Sequence, residues 1–148
     1  MAISLKGRNF FALEDFTPEE IRYQLKKESR EHVRHQHYIG EDFLLLFEMN
    51  STRTRCAFET SANDLGMGTT FLSNSHFGNT ETIKDSMRVF SEMYSAIGYR
   101  GAKHSTLLEM AKDSRIPIIN GYTDHQHPTQ MLADAMTLDE VWGRENYK

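Results

Sequence analysis

Three hydroxyl groups and two guanidinium groups lie within five consecutive residues, Ser51-Thr52-Arg53-Thr54-Arg55. Arginine presents a planar fork of donors that fits phosphate oxygens, and small hydroxyls can fill the remaining acceptor positions. The segment follows a short apolar run and begins a helical pattern. It would therefore stand at a helix N-terminus, where unpaired N–H groups and the macrodipole favour an anion. These residues predict a site for a small phosphate-bearing molecule; the alternative is a solvated helix start whose arginines pair with surface carboxylates.

A second set of polar side chains follows other predicted strands. Arg100 comes directly after one of them, beside Gly101, which permits close approach of the backbone. His127 and Gln130 follow another strand: with Pro128 at the first helical position, they occupy the N-cap and the third position of a helix. An imidazole and an amide there would suit a neutral carbonyl and an amino group. Taken singly, Arg100 could form a surface ion pair and Gln130 a capping box.

The elements that must position these groups are four short apolar segments separated by helical patterns. The run Phe43-Leu44-Leu45-Leu46-Phe47 is typical of a strand that is covered on both faces. The other predicted strands are 68–72, 96–99 and 116–119. Parallel neighbours need crossover connections, so this alternation predicts a single three-layer α/β/α domain with a four-stranded parallel sheet. Ligands of such sheets bind beyond the carboxyl ends of the strands, where the polar groups described above would converge.

Helix starts and apolar faces support the same arrangement. Thr17 is predicted to cap a helix to about Val33, with Pro18 at the first helical position and Glu20 completing a capping box, and Ser51 is predicted to cap a helix to Leu65. Thr80 is predicted to cap the next helix. Residues 105–114 are predicted to form a shorter helix. Helical spacing gives two apolar faces: Ile83, Met87, Phe90 and Tyr94, and then Met131, Ala135, Leu138 and Trp142.

Composition limits the classes of function. The 148 residues carry a net charge of -4, so nucleic-acid binding through an overall basic surface is not expected. No apolar run approaches bilayer length and residues 1–8 lack a signal-peptide pattern, which predicts a cytoplasmic protein with no membrane partner. The single cysteine, Cys56, has no base nearby in sequence, so we expect an inert, buried thiol. No metal is expected, because His32, His35 and His37 have no further ligands around them.

Four motifs together resemble the ornithine carbamoyltransferases, in order and in spacing. They are Ser51-Thr52-Arg53-Thr54-Arg55-Cys56-Ala57-Phe58-Glu59, Glu81-Thr82-Ile83-Lys84-Asp85, Tyr99-Arg100-Gly101, and His127-Pro128-Thr129-Gln130-Met131-Leu132-Ala133-Asp134. The opening Gly7-Arg8-Asn9-Phe10 and the segment from Asp15 to Glu20 are also similar to that family. The resemblance therefore covers nearly the whole chain.

The resemblance implies a role for each matching residue. Ser51, Thr52, Arg53 and Thr54 match the segment that holds the phosphate of carbamoyl phosphate, and Arg100 matches the residue that reaches both phosphate and carbonyl oxygen. His127 matches the donor to the carbonyl oxygen, and Gln130 the residue that orients the carbamoyl amino group. Residues 73–79, with His76 in the place of a family Gln or His, would complete the site of a neighbouring subunit in a homotrimer.

The reaction that the resemblance implies is transfer of a carbamoyl group to the side-chain amine of ornithine, which gives citrulline and phosphate. Negative charge grows on the carbonyl oxygen, where Thr54, Arg100 and His127 are expected to act as donors. The reaction requires no cofactor. The family's second, amino-acid-binding domain is expected to be absent, so residues 1–148 form the carbamoyl phosphate-binding domain, inactive alone. Alternatives are a non-catalytic phosphate-binding or assembly module, or half of a carbamoyltransferase for another amine.

Overall fold

The chain forms a four-stranded sheet in which every strand runs parallel to its neighbours. The computed structural model describes residues 4–27 and 36–143. The sheet has the order β2-β1-β3-β4 and consists of β1 (Asp42–Phe47), β2 (Gly68–Ser73), β3 (Ala96–Arg100) and β4 (Ile118–Tyr122). The predicted α/β class with a four-stranded parallel sheet is confirmed.

Helices cover both faces of this sheet. They are α1 (Pro18–Lys27), α2 (Arg53–Asp64), α3 (Ile83–Met93), α4 (His104–Asp113) and α5 (Pro128–Trp142), with a 3₁₀ turn at Leu13–Asp15. Helices α3 and α4 pack on one face, and α2 packs on the other. Among the described helices, none combines the length and the apolar character needed to cross a bilayer.

Strand β1 is the centre of the core, because its side chains are buried on both sides of the sheet. Leu44 and Leu46 join the cluster under α3 and α4, whereas Phe43, Leu45 and Phe47 join the cluster under α2. Successive strand residues point to opposite faces, so a strand covered on both sides must be apolar without interruption. This requirement explains the run of five buried residues from Phe43 to Phe47.

The strand order opens a crevice at the carboxyl ends of β1 and β3. These strands are neighbours, yet β1 leads into α2 on one face and β3 leads into α4 on the opposite face. Where adjacent connections leave a sheet in opposite directions, a crevice forms in which ligands of open α/β sheets bind. The predicted anion-binding segment and Arg100 flank this crevice.

Strand β4 lies further along the chain than predicted and contains a bulge. It spans Ile118–Tyr122 rather than 116–119. Tyr99 pairs with Asn120, but Arg100 pairs with Tyr122, which leaves Gly121 as an extra residue. Because side chains alternate between faces, one extra residue changes the face that the following side chain occupies. The bulge therefore places Tyr122 on the same face as Arg100.

The N-terminal segment covers the outer edge of β4. The N–H group of Phe10 donates to Ile118 O over 2.9 Å, and the N–H group of Asn120 donates to Phe10 O over 2.8 Å. Asn120 is fully buried, and its side-chain amide donates to Phe11 O at 2.8 Å and to Gln126 O at 3.2 Å. The amide oxygen of Gln126 accepts from the N–H of Leu13 at 3.2 Å. An otherwise open sheet edge is thus paired and joined to the loop before α5.

Of the helix caps predicted at Thr17, Ser51 and Thr80, the first agrees with the structure and the other two differ. Thr17 and Glu20 form the predicted capping box, with bonds of 2.8 and 3.2 Å. Helix α2 begins at Arg53, one residue later than predicted, although Ser51 Oγ still accepts from the N–H of Thr54 at 3.3 Å. The prediction for Thr80 was wrong. Thr82 caps α3, because only at that position does the hydroxyl reach the N–H of the third helical residue.

The predicted apolar faces fare differently. In α3, Met87 is fully buried and Ile83, Phe90 and Tyr94 pack around it, as predicted. In α5 the prediction holds for Ala135 and Leu138, which are half-buried, and was wrong for the two ends of the face: Met131 is 44% exposed and Trp142 is 58% exposed. Helix α5 packs on β4 and α1 and borders an open cleft, so part of its apolar face stays exposed. The predicted continuation of α1 towards Val33 lies outside the described residues.

The cap of α3 can be tested with two threonines of the same loop. Thr82→Ala removes the hydroxyl that accepts from the N–H of Asp85, so we expect a loss of about 1 kcal/mol in the free energy of unfolding. Thr80→Ala is the matched control, because Thr80 is exposed and precedes the cap; its effect should stay within about 0.5 kcal/mol. Urea unfolding measures both values, and a larger loss for Thr80→Ala would contradict this assignment.

Candidate anion-binding site

An open cleft of about 980 Å³ lies at the carboxyl edge of the sheet and extends between α2 and α5. Its polar lining comes from the loop after β1, from the ends of β3 and β4, and from the first turn of α5. These residues are Ser51, Thr52, Arg53, Thr54, Arg100, Tyr122, His127, Thr129 and Gln130, and Ser61 of α2 adds a further hydroxyl. The fold therefore brings into one cleft the polar groups that the sequence places after three different strands.

The first turn of α2 supplies the donors on one side of the cleft. Thr54 is half-buried and Arg53 is exposed, and no carboxylate of residues 4–27 or 36–143 forms a salt bridge with Arg53. Thr54 Oγ1 lies 3.5 Å from Nη1 of Arg100, so the helix start and the end of β3 meet. An anion here would face the positive end of the helix dipole together with an exposed guanidinium group.

Arg100 stands at the centre of the cleft and is only partly satisfied by the protein. Its Nη1 donates to Gly121 O at 3.3 Å, and its guanidinium carbon lies 4.6 Å from the centre of the Tyr122 ring. Burial lowers the pKa of Arg100. Within the described part of the chain, its Nε is the one buried side-chain nitrogen or oxygen that has no hydrogen-bond partner. Because a buried charge without a full set of partners is costly, this group is prepared to accept an anion.

His127 lines the same cleft, at the N-cap of α5. Burial lowers the pKa of His127 first, and the positive charge of Arg100 lowers it further, against a smaller opposing effect of Asp134. The imidazole is therefore neutral near pH 7, with one donor nitrogen and one acceptor nitrogen. Nδ1 lies 3.2 Å from the hydroxyl of Thr129, which leaves the other ring nitrogen for the cleft.

Gln130 lies one turn into α5 and lines the same cleft. Its amide nitrogen donates to Asp134 Oδ1 at 2.9 Å, which leaves the amide oxygen as an acceptor. The capping-box alternative for Gln130 is not observed, because the start of α5 has no side-chain cap.

Hydrogen bonds with Glu48 fix the end of β3, which carries Arg100. The hydroxyl of the fully buried Tyr99 donates to Glu48 Oε2 at 2.5 Å, and burial, followed by the charge of Glu48, raises the pKa of Tyr99. The N–H of Glu48 also donates to Arg100 O at 2.9 Å. A side chain at Gly101 would collide with both the Tyr99 hydroxyl and the Glu48 carboxylate, which explains the glycine next to Arg100.

Some residues singled out in the sequence lie elsewhere. Arg55 binds Glu59 at 3.0 Å and stacks 3.6 Å over the ring of Phe71, so it does not join the cleft. His76 is exposed in the loop between β2 and α3. The expectation of a buried Cys56 was wrong: the thiol is exposed, because it lies on the outer side of α2.

The sequence predicts that His32, His35 and His37, three histidines near the end of α1, do not bind a metal. His32 and His35 lie outside the described residues. Over residues 4–27 and 36–143, no group of three histidine, cysteine or acidic side chains is arranged to hold a metal ion.

Two residues of the cleft, Tyr122 and Thr129, were not predicted from the sequence. Tyr122 was missed because the fourth strand was predicted to end at Ile119, although an aromatic residue after Asn120-Gly121 is compatible with a strand that continues. Thr129 stood inside a motif already assigned to a helix start. Its position two residues after His127 is the signal that could have identified it.

The crevice at the strand ends, the helix N-terminus and the under-satisfied guanidinium group define an α/β domain with a candidate site for a small anion. Residues 8–140 match the family described as aspartate/ornithine carbamoyltransferase, carbamoyl-P binding domain. The chain belongs to this family.

Individual relatives agree with the family. The chain is 48% identical over 146 residues to the catabolic ornithine carbamoyltransferase of Clostridium perfringens (strain 13 / Type A), covering 95% of this chain and 44% of that protein. It is 44% identical over 151 residues to an ornithine carbamoyltransferase of Caldanaerobacter subterraneus, and the match covers 97% of this chain and 48% of that protein. The chain thus spans less than half the length of these relatives.

Solved structures give the same result. The ornithine carbamoyltransferase from Pyrococcus furiosus superposes with a TM-score of 0.88 at 35% identity, covering 96% of this chain and 48% of that one. The anabolic ornithine carbamoyltransferase from Campylobacter jejuni superposes with a TM-score of 0.79 at 38% identity. This match covers 90% of this chain and 45% of that one.

The electrostatic coupling of Arg100 and His127 can be measured by titration. In the unaltered chain we expect His127 to titrate below the ordinary value of 6.5. Arg100→Gln removes the neighbouring positive charge and should raise the pKa of His127. The measurement is an NMR titration of the imidazole resonances, with Arg55→Gln as the control, because Arg55 lies outside the cleft. Equal pKa values of His127 in the Arg100→Gln variant and the unaltered chain would contradict the coupling.

The same shift gives a pH dependence of stability. Because the pKa of His127 is lower in the folded state than in the unfolded state, the unfolded state binds more protons between the two values. The contribution of His127 to the free energy of unfolding therefore falls as the pH decreases from 6.5 through its folded pKa.

Proposed function

We propose that this domain binds carbamoyl phosphate and forms the donor half of an ornithine carbamoyltransferase. The observation that carries the proposal is the position of Arg100, whose guanidinium group is partly buried, under-satisfied and adjacent to both Thr54 and the ring of Tyr122. Ornithine as acceptor is supported by the names of the relatives, which are ornithine carbamoyltransferases. The products are citrulline and phosphate.

The phosphate group would bind at the start of α2. The hydroxyls of Ser51, Thr52 and Thr54 and the guanidinium of Arg53 line that part of the cleft. A phosphate dianion offers acceptor oxygens in several directions, so hydroxyl donors, a planar guanidinium fork and a helix N-terminus can be engaged together. The same groups would stabilise the phosphate as it leaves.

The carbonyl oxygen would lie between Thr54, Arg100 and His127. As the amine attacks the carbamoyl carbon, a C–N bond forms and the carbonyl oxygen gains negative charge. The bond to the phosphate oxygen then breaks, and the attacking nitrogen loses a proton. Donors fixed where the charge develops accelerate such a step, and the loss of one of them costs about a hundredfold to a thousandfold in rate.

The neutral state of His127 fits the role of donor. When the Thr129 hydroxyl donates to Nδ1, the imidazole carries its proton on Nε2. The Nε2–H group can then donate a hydrogen bond to the carbonyl oxygen. Gln130 would orient the carbamoyl amino group, because its amide oxygen remains an acceptor while its amide nitrogen is bound to Asp134.

The site is proposed to be completed by a second copy of the chain. His76 is exposed in the loop between β2 and α3, as a residue must be if it reaches the cleft of a neighbouring subunit. A homotrimer is the assembly that the family resemblance implies.

Two arginines of α2 provide a matched test of phosphate binding. Arg53→Ala removes a charged donor from the cleft, and a hydrogen bond to a charged group contributes about 1.5–3 kcal/mol. We therefore expect carbamoyl phosphate to bind roughly tenfold to a hundredfold more weakly, by calorimetric titration of this chain. Arg55→Ala is the control and should leave the affinity nearly unchanged, since that side chain stacks on Phe71. Unaltered affinity in Arg53→Ala would overturn the proposed site.

Turnover separates the catalytic proposal from a binding module without catalysis. A polypeptide that carries this domain together with an acceptor domain should form citrulline from ornithine and carbamoyl phosphate, and should lose that turnover on Arg53→Ala. Aspartate and lysine are the matched alternative acceptors. Carbamoyl phosphate binding without carbamoylation of any of these amines would instead favour the non-catalytic module.

A further inference from the structure

Tyr122 contacts both the guanidinium group of Arg100 and the imidazole of His127 in the cleft. The guanidinium carbon of Arg100 lies 4.6 Å from the centre of its ring. The ring of His127 meets the same tyrosine edge to face, with the ring centres 5.8 Å apart and an interplanar angle of 75°. Tyr122 itself is half-buried and lines the cleft. One aromatic ring thus contacts both of the groups proposed to bind the carbonyl oxygen.

The bulge in β4 is what places the ring there. If Gly121 were a regularly paired strand residue rather than a bulge, Tyr122 would lie on the same face of the sheet as the buried Asn120, opposite Arg100. Bulges next to functional sites often redirect a side chain in this way. There is little room for a larger residue at the bulge, because a Cβ at position 121 would lie 2.8 Å from the ring of Phe58.

The other contacts of Arg100 are weak restraints on its orientation. Its Nη1 reaches Thr54 Oγ1 at 3.5 Å and Gly121 O at 3.3 Å, both long for hydrogen bonds. A planar guanidinium group is oriented well by the face of an aromatic ring, through cation–π attraction and stacking. The ring of Tyr122 is therefore the contact that sets the plane of the guanidinium group.

We infer that Tyr122 is a positioning residue that holds the donors of Arg100 and His127 at a fixed separation for the carbonyl oxygen of the donor substrate. This inference rests on the proposed function. The phosphate group has further partners in Arg53 and the hydroxyls at the start of α2, which belong to a different element of the cleft from Tyr122. Loss of the ring should therefore weaken recognition of the carbamoyl group more than recognition of phosphate.

Calorimetric titration of this chain with carbamoyl phosphate and with inorganic phosphate tests this difference. Tyr122→Leu removes the ring, and we expect carbamoyl phosphate to bind about tenfold more weakly, with a smaller change for inorganic phosphate. Tyr122→Phe is the conservative control, since it keeps the ring and should keep both affinities within about twofold. Equal weakening of both ligands by Tyr122→Leu would overturn the inference.

A second readout does not depend on ligand binding. Removal of the ring exposes His127 to water, so Tyr122→Leu should raise the pKa of His127 in an NMR titration, and Tyr122→Phe should not. The other charged groups that face His127 are Asp134 and Arg100, and neither residue is substituted in these variants. His104 is the internal control: burial and His125 lower its pKa, Asp124, Asp15 and Glu14 oppose this, and none of these groups is changed.

The outcomes distinguish this inference from the proposed function. If the unaltered chain fails to bind carbamoyl phosphate at millimolar concentration, the proposed function fails, while the His127 titration still reports whether Tyr122 positions that ring. If the unaltered chain binds and Tyr122→Leu changes neither affinity nor the pKa of His127, the inference fails and the proposed function stands. Should Tyr122→Leu also shift His104 and thus disturb the fold, Tyr122→Met replaces it, because methionine fills the volume without a ring face.

Discussion

The hydrogen bonds that join β1 to β3 at their carboxyl ends are the constraint on which the cleft depends. The N–H of Glu48 donates to Arg100 O at 2.9 Å, and the Tyr99 hydroxyl donates to the carboxylate of Glu48 at 2.5 Å. On the other side, the N–H of Gly101 donates to Tyr122 O at 3.1 Å. Three strands therefore end at one level. The backbone, rather than any flexible side chain, determines how far the start of α2 lies from Arg100.

A fixed backbone matters here because the side chains of the cleft do not hold one another tightly. The contacts of Arg100 with Thr54 and Gly121 are long, and Arg53 is exposed. Such an arrangement suits a domain whose ligand supplies the missing contacts. Cationic donors that were already paired would have to lose their partners before an anion could bind, and that exchange would reduce the affinity.

The sequence predicts much of this fold because the strongest signals are local. The apolar run of β1, the capping box at Thr17 and the helical face around Met87 are each set by neighbours in the chain, and each is confirmed. The sequence also predicts that the polar groups of the cleft converge, because parallel strands end at one edge of a sheet.

What the sequence does not predict depends on contacts between distant residues. The bulge at Gly121 arises from pairing with β3, and it decides the orientation of Tyr122. The exposure of Met131 and Trp142 depends on which elements lie against α5, a fact that helical spacing does not contain. Thr80 and Thr82 are both acceptable caps by residue type, and the bend of the loop between β2 and α3 selects the second.

The pairing of the N-terminal segment with β4 has a consequence for the order in which the domain is built. Asn120 bonds to Phe11 across 109 positions of sequence, and Gln126 bonds to Leu13 across 113. Such long loops close late, because their entropic cost is incurred before any contact offsets it. The segment that holds Phe11 and Leu13 must therefore wait for residues that are synthesised 109 and 113 positions later. Until they meet, the loop that carries His127 lacks its anchor, so the cleft is completed at the end of folding.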